Sequence, residues 1–381
     1  MLRGAIIGFG YAGQNHAEAY KNIQDIRITA IADISNQRLT VAKEKLGVQT
    51  KSLYTDYKKM LTEEKLDFID ICVPHSYHKE IVISAAKKGL HILCEKPLGL
   101  SLAEIDEMIQ AVKENDLQLM VCHELAYLPS NSITKRLIDD GKIGRVFYIE
   151  CKEFWSSYST RAVPEYRPSW RSEFELSGGG PLIDQGLHSC YLSKWFLGSE
   201  VNSVTAVIDN LNRPEYSVED FAYASFRFQN GSIADIRNSW CVTKEEQFRK
   251  IEGEKATLLV GEPIVLFFRD ETHQIQAYSQ GKGSIIGYEG LIKDFLSAIK
   301  GEGKTKYPVT AQDGRDAVGM VLAAYESGAL GREVVMPLKP SDPIYQKGVR
   351  GLRDIELSKE SPIYKKNIFN VREYLREKNK E

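Results

Sequence analysis

Three glycines near the amino end of the chain, Gly8, Gly10 and Gly13, constrain its fold more than any other feature. They follow an apolar run at residues 5–7 and precede a segment with a helical pattern. In such a strand-turn-helix unit the first glycine allows the tight turn, the second lets the main chain approach a pyrophosphate, and the third lets helix and strand pack closely. The helix would then offer unpaired N–H groups to phosphates. The spacing alone is a weak signal, because 29 glycines could produce it by chance.

The context of these glycines strengthens the prediction of a dinucleotide site. A second apolar run, residues 28–32, ends at Asp33, twenty positions after Gly13. A carboxylate there accepts hydrogen bonds from the ribose hydroxyls of NAD and repels the 2′-phosphate of NADP. Ile34 offers no positive charge for that phosphate, whereas Arg38 could fold over the adenine. We therefore expect NAD rather than NADP, bound by Gly8, Gly10, Tyr11, Ala12, Gly13, Asp33 and Arg38.

Length and composition bound the class of protein. A chain of 381 residues is too long for one ordinary core, so two domains are expected. The net charge of −2 gives neither a basic field for nucleic acid nor a polybasic surface for a membrane, which favours a small-molecule substrate. The six cysteines are scattered without a C-x-x-C pair, and neither a signal peptide nor a membrane-length apolar run is evident. These observations predict a reducing, cytoplasmic setting.

The order of the predicted elements indicates two kinds of sheet. Strands at 3–8, 27–33, 67–73, 91–94 and 117–122 alternate with helices, which predicts an α/β Rossmann domain with a doubly wound parallel sheet. Mostly strands follow between 145 and 269, with one clear helix at 182–197, which predicts an α+β domain with an open, mostly antiparallel sheet. Its outer face would need a cover, so we expect a homo-oligomer, either a dimer or a tetramer.

The predicted division is an NAD(P)-binding Rossmann domain at 1–122, an α+β substrate-binding and oligomerisation domain at 123–339, and a charged C-terminal tail at 340–381. The composition of the tail fits either packing over a domain or another subunit, or a frayed terminus.

Glu95-Lys96-Pro97 follows the predicted strand 91–94, at the strand end where an open α/β sheet places its ligands. A lysine there can orient a hydroxyl or carbonyl group and stabilise negative charge that develops on oxygen. The alternative is that Glu95 and Lys96 form a solvated pair of loop charges.

A second candidate stretch follows the three glycines at 178–180. Asp184 and His188 lie four residues apart and therefore on one face of a helix. A carboxylate beside an imidazole can fix its tautomer, and histidine suits proton transfer near neutral pH. The alternative is a structural aspartate cap with a core histidine.

Four motifs occur in a specific order and spacing: Gly8-x-Gly10-x-x-Gly13, Val73-Pro74 followed by His78, Glu95-Lys96-Pro97, and Gly179-Gly180-x-Leu182-x-Asp184-x-Gly186-x-His188. Together they resemble the Gfo/Idh/MocA oxidoreductase family, which includes the inositol dehydrogenases and glucose–fructose oxidoreductase. The resemblance covers about residues 1–335. The chain is similar to the family in all four motifs. It departs from the family pattern at Ala126, where an arginine is common, and at Tyr191, where many members carry aspartate.

The resemblance implies a role for each matching residue. Lys96 would orient the substrate hydroxyl, His188 would act as general acid/base, and Asp184 would bind substrate or polarise His188. Glu95 would lie near the nicotinamide ribose. The same resemblance adds Pro74 and His78 to the cofactor-binding set.

Substrate contacts are predicted from two further stretches. The aromatic and arginine-rich loop at 154–177 suits either a carbohydrate lid or an oligomer contact. His123 follows the last Rossmann strand and could contact substrate or serve as a structural imidazole. The candidate substrate-binding residues are His123, Tyr127, Trp155, Arg167 and Trp170.

Cys72, His75 and His78 raise the question of a metal site. They lack an evident further ligand, and hydride transfer to a nicotinamide requires no metal, so we predict none.

The sequence therefore predicts an NAD-dependent oxidoreductase that oxidises a secondary hydroxyl of a sugar, cyclitol or glycoside, with C3 of a sugar ring as one specific target. The alternative is an NAD-dependent glycosidase or lyase that oxidises the sugar transiently and releases no net NADH. A non-catalytic nucleotide sensor fits less well, because both Lys96 and His188 are present.

Overall fold

The computed structural model describes residues 1–24, 26–156, 170–261, 263–269, 275–278, 284–302 and 309–378. The chain divides into two compact units. The first comprises Met1–Gly99, Glu104–Leu128 and Gly283–Arg315, and the second comprises Leu100–Ala103, Pro129–Lys282 and Asp316–Glu381.

The first unit contains a six-stranded sheet. Its strands are β1 (Leu2–Ile7), β2 (Ile26–Ala32), β3 (Leu53–Tyr54), β4 (Phe68–Ile71), β5 (His91–Glu95) and β6 (Leu119–Cys122). They are all parallel and lie in the order β3-β2-β1-β4-β5-β6, which confirms the predicted Rossmann topology. The order reverses between β1 and β4, so the ligand crevice of this sheet is expected outside the carboxyl ends of these two strands.

Helices connect the strands of the first unit. They are α1 (Tyr11–Lys21), α2 (Asn36–Leu46), α3 (Tyr57–Glu63), α4 (His78–Ala86) and α5 (Leu102–Glu114). The central strands read as apolar runs because both of their faces are covered, and Ile6, Ile69 and Ile92 are completely buried.

The helix Ser284–Ile299 also belongs to the first unit, although the linear division by sequence assigned its residues to the second domain. Its apolar face explains the difference. The Tyr288 ring lies 4.7 Å from the His16 ring on α1, and the Phe295 ring lies 5.7 Å from Phe68 on β4.

The second unit contains a nine-stranded sheet. Its strands are β7 (Val146–Phe154), β8 (Val201–Asp209), β9 (Phe221–Phe228), β10 (Ile233–Ser239), β11 (Glu246–Gly253), β12 (Ala256–Val260), β13 (Ile264–Phe268), β14 (Ile275–Tyr278) and β15 (Val334–Val335). The order is β14-β13-β12-β11-β7-β10-β9-β8-β15. Within this nine-stranded sheet, the β7–β10 pair is the only parallel pair among the described strands, which confirms a mostly antiparallel sheet.

The helices of the second unit include α6 (Pro129–Asp139), a short helix at Phe174–Ser177 and most of the helix Ala311–Leu330. The helix predicted at 182–197 has two parts, a π-helical turn at Leu182–Gly186 and an α-helix at Leu187–Leu197. In the part of the chain that the structure describes, no helix combines the length and the apolar character needed to cross a membrane.

The tail packs against its own unit as far as it is described. It forms short helices at Pro343–Lys347, Pro362–Lys365 and Val371–Lys378. Leu352 and Phe369 are completely buried, and the Phe369 ring lies 5.4 Å from Phe174 and 5.2 Å from Tyr325. These contacts show that the tail adds apolar side chains to the core of its unit, which its charged composition did not indicate.

Candidate active site

The glycine turn after β1 has the geometry that a dinucleotide needs. Gly8 has φ of +92°, and a Cβ there would lie 2.4 Å from the carbonyl oxygen of Cys72. A Cβ at Gly13 would lie 2.1 Å from the Gly8 carbonyl oxygen, so any side chain would push α1 away from the turn. A Cβ at Gly10 would meet nothing nearer than the Arg38 guanidinium at 3.6 Å, which leaves its main chain open to a pyrophosphate.

The amino end of α1 completes this phosphate cradle. Among the described residues, no side chain caps the helix at Gly10. The first N–H groups of a helix need partners from outside it, and a phosphate supplies them together with a favourable charge at the positive end of the helix dipole. The turn therefore fits a pyrophosphate.

Asp33 lies at the carboxyl end of β2 and fixes the other side of the turn. Its Oδ2 accepts a hydrogen bond from the Phe9 N–H at 2.7 Å, and its Oδ1 accepts one from the Ser35 N–H at 2.8 Å. The Arg38 guanidinium lies 3.7 Å from Oδ2. Carboxylate oxygens have further lone pairs, so Asp33 can still accept from ribose hydroxyls while it remains rigidly held.

Glu95 and Lys96 lie where β5 ends. Glu95 is buried, which excludes a solvated pair of loop charges, and its Oε2 accepts a hydrogen bond from the Lys96 N–H at 3.0 Å. Its Oε1 lies 3.0 Å from Nε2 of His16. Lys96 is half-buried, and the Lys96–Pro97 peptide bond is cis.

His78 connects two loops of the cofactor unit. Its Nδ1 lies 2.9 Å from the Pro97 carbonyl oxygen, and its Nε2 lies 3.0 Å from the Val73 carbonyl oxygen. The ring is completely buried, and this burial lowers the pKa of His78. His78 therefore lies between the loop that carries half-buried Pro74 and the loop that follows Lys96, and its single N–H donates to one of the two carbonyl oxygens, so its effect on a cofactor would be indirect.

His123 and Glu124 lie in the same neighbourhood as Lys96 and Glu95. Burial, reinforced by the Lys96 charge, lowers the pKa of His123 to about 3, so its imidazole is neutral at physiological pH. Burial and the Glu95 carboxylate raise the pKa of Glu124 to about 7, against the opposing charge of Lys96. The first unit thus brings a cation and two acidic groups together at the ends of β5 and β6.

Tyr127 has contacts that anchor it within the first unit. Its hydroxyl donates to Oδ2 of Asp294 at 2.7 Å and accepts from the Val309 N–H at 3.3 Å. Its ring lies against Gly290. This arrangement gives Tyr127 a structural role in holding residues 124–127 to the helix Ser284–Ile299.

In the second unit, Asp184 is held from two sides on the π-helical turn. The Arg171 Nε lies 3.2 Å from its Oδ2, and the Gln185 side-chain amide donates to the same oxygen at 3.3 Å. Gln185 in turn accepts from the Trp240 indole N–H at 2.9 Å. Asp184 is buried and His188 half-buried, in a segment where a π-helical turn often marks a functional site.

A buried carboxylate fixes the start of this turn. Glu219 accepts hydrogen bonds from the Gly180 N–H at 2.8 Å, the Leu182 N–H at 3.1 Å and the Tyr325 hydroxyl at 2.7 Å. A Cβ at Gly180 would lie 2.1 Å from the Glu219 carbonyl oxygen. The glycines at 179 and 180 are therefore needed for close packing beneath Asp184.

The comparison with known proteins decides the family. Residues 2–123 match the model described as an oxidoreductase family with an NAD-binding Rossmann fold, and residues 133–259 match the GFO/IDH/MocA C-terminal domain. Myo-inositol 2-dehydrogenase of Thermotoga maritima is 30% identical over 241 residues, which are 62% of this chain and 68% of that protein. This protein belongs to the GFO/IDH/MocA oxidoreductase family. NAD is accordingly its cofactor class and oxidoreduction its chemistry, as the sequence predicted.

Other members of the GFO/IDH/MocA family are similarly distant. D-glucoside 3-dehydrogenase of Escherichia coli is 27% identical over 264 residues, which are 65% of this chain and 72% of that protein. The solved structure of levoglucosan dehydrogenase in complex with NADH superposes with a TM-score of 0.80 at 22% identity, covering 89% of this chain and all of that one. The latter similarity shows a shared fold.

The predicted substrate-contact residues of this GFO/IDH/MocA protein lie in different settings. Trp155 is half-buried after β7, and its main-chain N–H donates to the Ser239 carbonyl oxygen at 2.9 Å. The Trp170 ring carries the Arg171 guanidinium at 4.5 Å, and Arg171 also contacts Asp184. Arg167 lies outside the described residues.

The sequence reasoning overlooked several residues that lie beside or hold the candidate side chains within each unit. They are His16, Asp70, Glu124, Gln185, Glu219 and Tyr325. Asp70 carried a usable signal, since it is a charged residue inside the apolar run of β4. His16 carried one as well, because residues 13, 16, 17 and 20 form the buried stripe of α1.

The three residues considered for a metal site, Cys72, His75 and His78, have different neighbours. Cys72 lies 3.5 Å from Oδ1 of Asp70 and 3.7 Å from Nδ1 of His16, whereas the His75 and His78 rings face each other with centroids 5.8 Å apart. All six cysteines are free.

Proposed function

We propose that this protein is an NAD-dependent dehydrogenase that oxidises a secondary hydroxyl of a sugar, cyclitol or glycoside, and that C3 of a sugar ring is a specific target. The observation that carries this proposal is the buried Asp184, held on the π-helical turn by Arg171, with His188 on the α-helix that follows directly, in a chain whose first unit carries an NAD cradle. The names of two relatives, an inositol dehydrogenase and a glucoside 3-dehydrogenase, support the substrate class.

Each proposed role follows from what the side chain can do. His188 takes the proton of the substrate hydroxyl, since an imidazole can accept a proton near neutral pH. Asp184, held by Arg171, stabilises the imidazolium that forms. Lys96 donates to the substrate oxygen and stabilises the negative charge that develops there.

The cofactor-binding set comprises the turn residues 8–13, Asp33 and Arg38, with Glu95 toward the nicotinamide ribose. Pro74 and His78 act through the loops that they hold. When bound, NAD supplies the acceptor for the hydride that leaves the carbinol carbon.

His123, Tyr127, Trp155, Arg167 and Trp170 are proposed to contact the substrate. The departures at Ala126 and Tyr191 from the common family pattern bear on the identity of the substrate more than on the chemistry.

The proposed function is tested with purified protein, NAD and a panel of inositols, hexoses and glycosides, by the absorbance of reduced nicotinamide. We expect stoichiometric NADH with at least one compound. Consumption of a glycoside without net NADH would instead support a glycosidase or lyase that oxidises its substrate transiently. Silence across the whole panel would contradict both.

We also propose that the protein acts as a homo-oligomer in a reducing, cytoplasmic setting. The six free cysteines support the setting. The outer face of the nine-stranded sheet supports the assembly, because Val207, Phe267 and Ile275 are exposed there.

A further inference from the structure

A buried cluster behind the cofactor turn contains an imidazole between two carboxylates. Gly13 brings α1 close to the sheet, and His16, almost one helical turn later, faces the carboxyl ends of β4, β5 and β6. Its Nδ1 lies 2.7 Å from Oδ2 of Asp70, and its Nε2 lies 3.0 Å from Oε1 of Glu95. His16 and Asp70 are completely buried.

These two contacts determine which protons the cluster holds. An ionised carboxylate only accepts hydrogen bonds, and a neutral imidazole donates through one nitrogen only. Both contacts are satisfied with ionised carboxylates when His16 is an imidazolium that donates from both nitrogens. Burial lowers the pKa of His16, but the Asp70 carboxylate, with contributions from Cys72 and Cys122, outweighs burial and raises that pKa well above the ordinary value.

The other ionisable groups around His16 leave this assignment unchanged. Burial raises the pKa values of the neighbouring thiols and phenols, which therefore remain neutral; they are Cys72, Cys122, Tyr20 and Tyr288. Glu124 is the remaining acidic group nearby, with a pKa of about 7. As an imidazolium that donates from both ring nitrogens, His16 has no lone pair with which to bind a metal.

Glu95 transmits the position of His16 to the candidate catalytic lysine. One oxygen of Glu95 contacts His16, and the other accepts the main-chain N–H of Lys96. Asp70 is fixed in turn by the Tyr20 hydroxyl at 2.9 Å. A chain of hydrogen bonds thus runs from α1 and β4 to the main chain that bears Lys96.

From this geometry we infer that His16 is a positioning residue, a permanently charged bridge that fixes Glu95 and thereby Lys96 for the reaction. This inference rests on the proposed dehydrogenase function. For this positioning role the Nε2–H of His16 must donate to Glu95. The Nδ1–H donates to Asp70, whose negative charge the imidazolium neutralises.

Two amide substitutions separate these functions. Gln at position 16 places its amide nitrogen near the former Nε2 and keeps the bond to Glu95, whereas Asn places it near the former Nδ1 and keeps the bond to Asp70. We expect H16N to lower kcat about tenfold more than H16Q, because a misplaced catalytic group costs up to about a hundredfold. NADH binding and Tm are measured alongside, and H91N, at the opposite end of β5, is the control that should retain wild-type kcat.

A double-mutant cycle with E95Q tests whether His16 acts through Glu95. In the E95Q background we expect H16N to lower kcat by no more than about twofold, because the contact it would break is already altered. H16N and H16Q with equal kcat, or the same loss from H16N in both backgrounds, would show a structural role only and overturn the inference.

Nuclear magnetic resonance of ¹⁵N-labelled histidine gives a readout that is independent of turnover and of H16N folding. We expect His16 to carry protons on both ring nitrogens at about pH 8, and E95Q to shift the Nε2–H resonance more than the Nδ1–H resonance. A neutral His16 at that pH would overturn the inference. If the wild-type protein forms no NADH, the dehydrogenase proposal fails, while this spectrum still decides whether His16 bridges the two carboxylates.

Discussion

At the scale of single residues, we propose that Asp33 sets the preference for NAD over NADP. Its two oxygens hold the Phe9 and Ser35 N–H groups, so the negative charge is fixed beside the turn. We expect D33N to keep the turn but to lose its repulsion of a 2′-phosphate, which at close range is worth about 1 kcal/mol or more. The ratio of kcat/KM for NADP over that for NAD should rise by roughly tenfold. E44Q, on the exposed part of α2, is the matched control, and an unchanged ratio in D33N would refute this role of the charge.

The site residues that could be predicted from the sequence are those whose role depends on residues close by in the chain. Gly8, Gly10 and Gly13 are recognisable because their roles follow from backbone geometry within six residues. His16 was missed because its partners, Asp70 and Glu95, are 54 and 79 positions away, and only the fold brings them together. Glu219 was missed for the same reason, since it accepts from the Gly180 N–H across 39 positions.

At the scale of elements, we expect the close packing of α1 against the glycine turn to be required for cofactor binding. A Cβ at Gly13 would overlap the Gly8 carbonyl oxygen, so we expect G13A to displace α1 and abolish NADH binding. Gly319 in the helix Ala311–Leu330 provides the control, because its Cβ would come no nearer than 3.7 Å to another atom. G319A should retain NADH affinity and gain up to about 1 kcal/mol in stability. Fluorescence titration with NADH checks both variants, and tight binding by G13A would contradict the proposed cradle.

The free energy of unfolding should depend on pH through Glu219, which holds the turn that bears Asp184. Burial raises the pKa of Glu219 to about 7, against the opposing Tyr325 hydroxyl and main-chain N–H groups. A carboxyl with a raised folded-state pKa favours folding most at pH values below its unfolded pKa, and this contribution is lost as the pH rises through the folded-state pKa. The stability of wild type relative to E219Q should therefore fall by up to roughly 3 kcal/mol between about pH 4.5 and pH 7.

Urea denaturation at a series of pH values measures this difference. E219Q also leaves an amide facing buried N–H donors, so a constant loss of about 1–3 kcal/mol is expected at all pH values. E215Q, at an exposed glutamate nearby, should follow wild type throughout. Wild-type and E219Q curves that remain parallel across the pH range would contradict the shifted pKa.

The elements themselves followed from the sequence with small errors in their bounds. The strands Phe221–Phe228 and Ala256–Val260 lie within the stretch 145–269 that was predicted to be mostly strand, because their turns and apolar patterns are distinct. The π-helical turn at Leu182–Gly186 was predicted as part of one continuous helix, since a single widened turn leaves the apolar pattern unchanged. The short strand β14 was missed because four residues give too little alternation to recognise.

At the scale of the whole molecule, the outer face of the nine-stranded sheet leads to a prediction about assembly. Val207 pairs with Tyr223, and Phe267 pairs with Ile275, on the face opposite the buried positions of their strands. We expect light scattering after size exclusion to give at least twice the mass of one chain, and V207E to lower that mass. K87E, on the surface of the first unit, should leave it unchanged. A wild-type mass of one chain at micromolar concentration would contradict the proposed oligomer.

The hardest property to predict was which segments of the chain belong to which unit. Residues 283–315 follow the strands of the second unit in sequence but cluster with the first unit. The helix Ser284–Ile299 looks like any amphipathic helix, and its choice of partner depends on how Tyr288 and Phe295 fit against α1 and β4. Such complementarity has no signature in one sequence.

The central claim is that Lys96 and His188 serve NAD-dependent oxidation of a substrate hydroxyl. The most direct test is single-turnover formation of NADH with the best substrate of the panel, in the wild type, K96M, H188N and the surface control K87M. We predict that K96M and H188N lower the rate by about a hundredfold or more with nearly unchanged NAD binding, and that K87M equals wild type. Wild-type rates in K96M and H188N, or loss of NAD binding in both, would contradict the assignment of these residues.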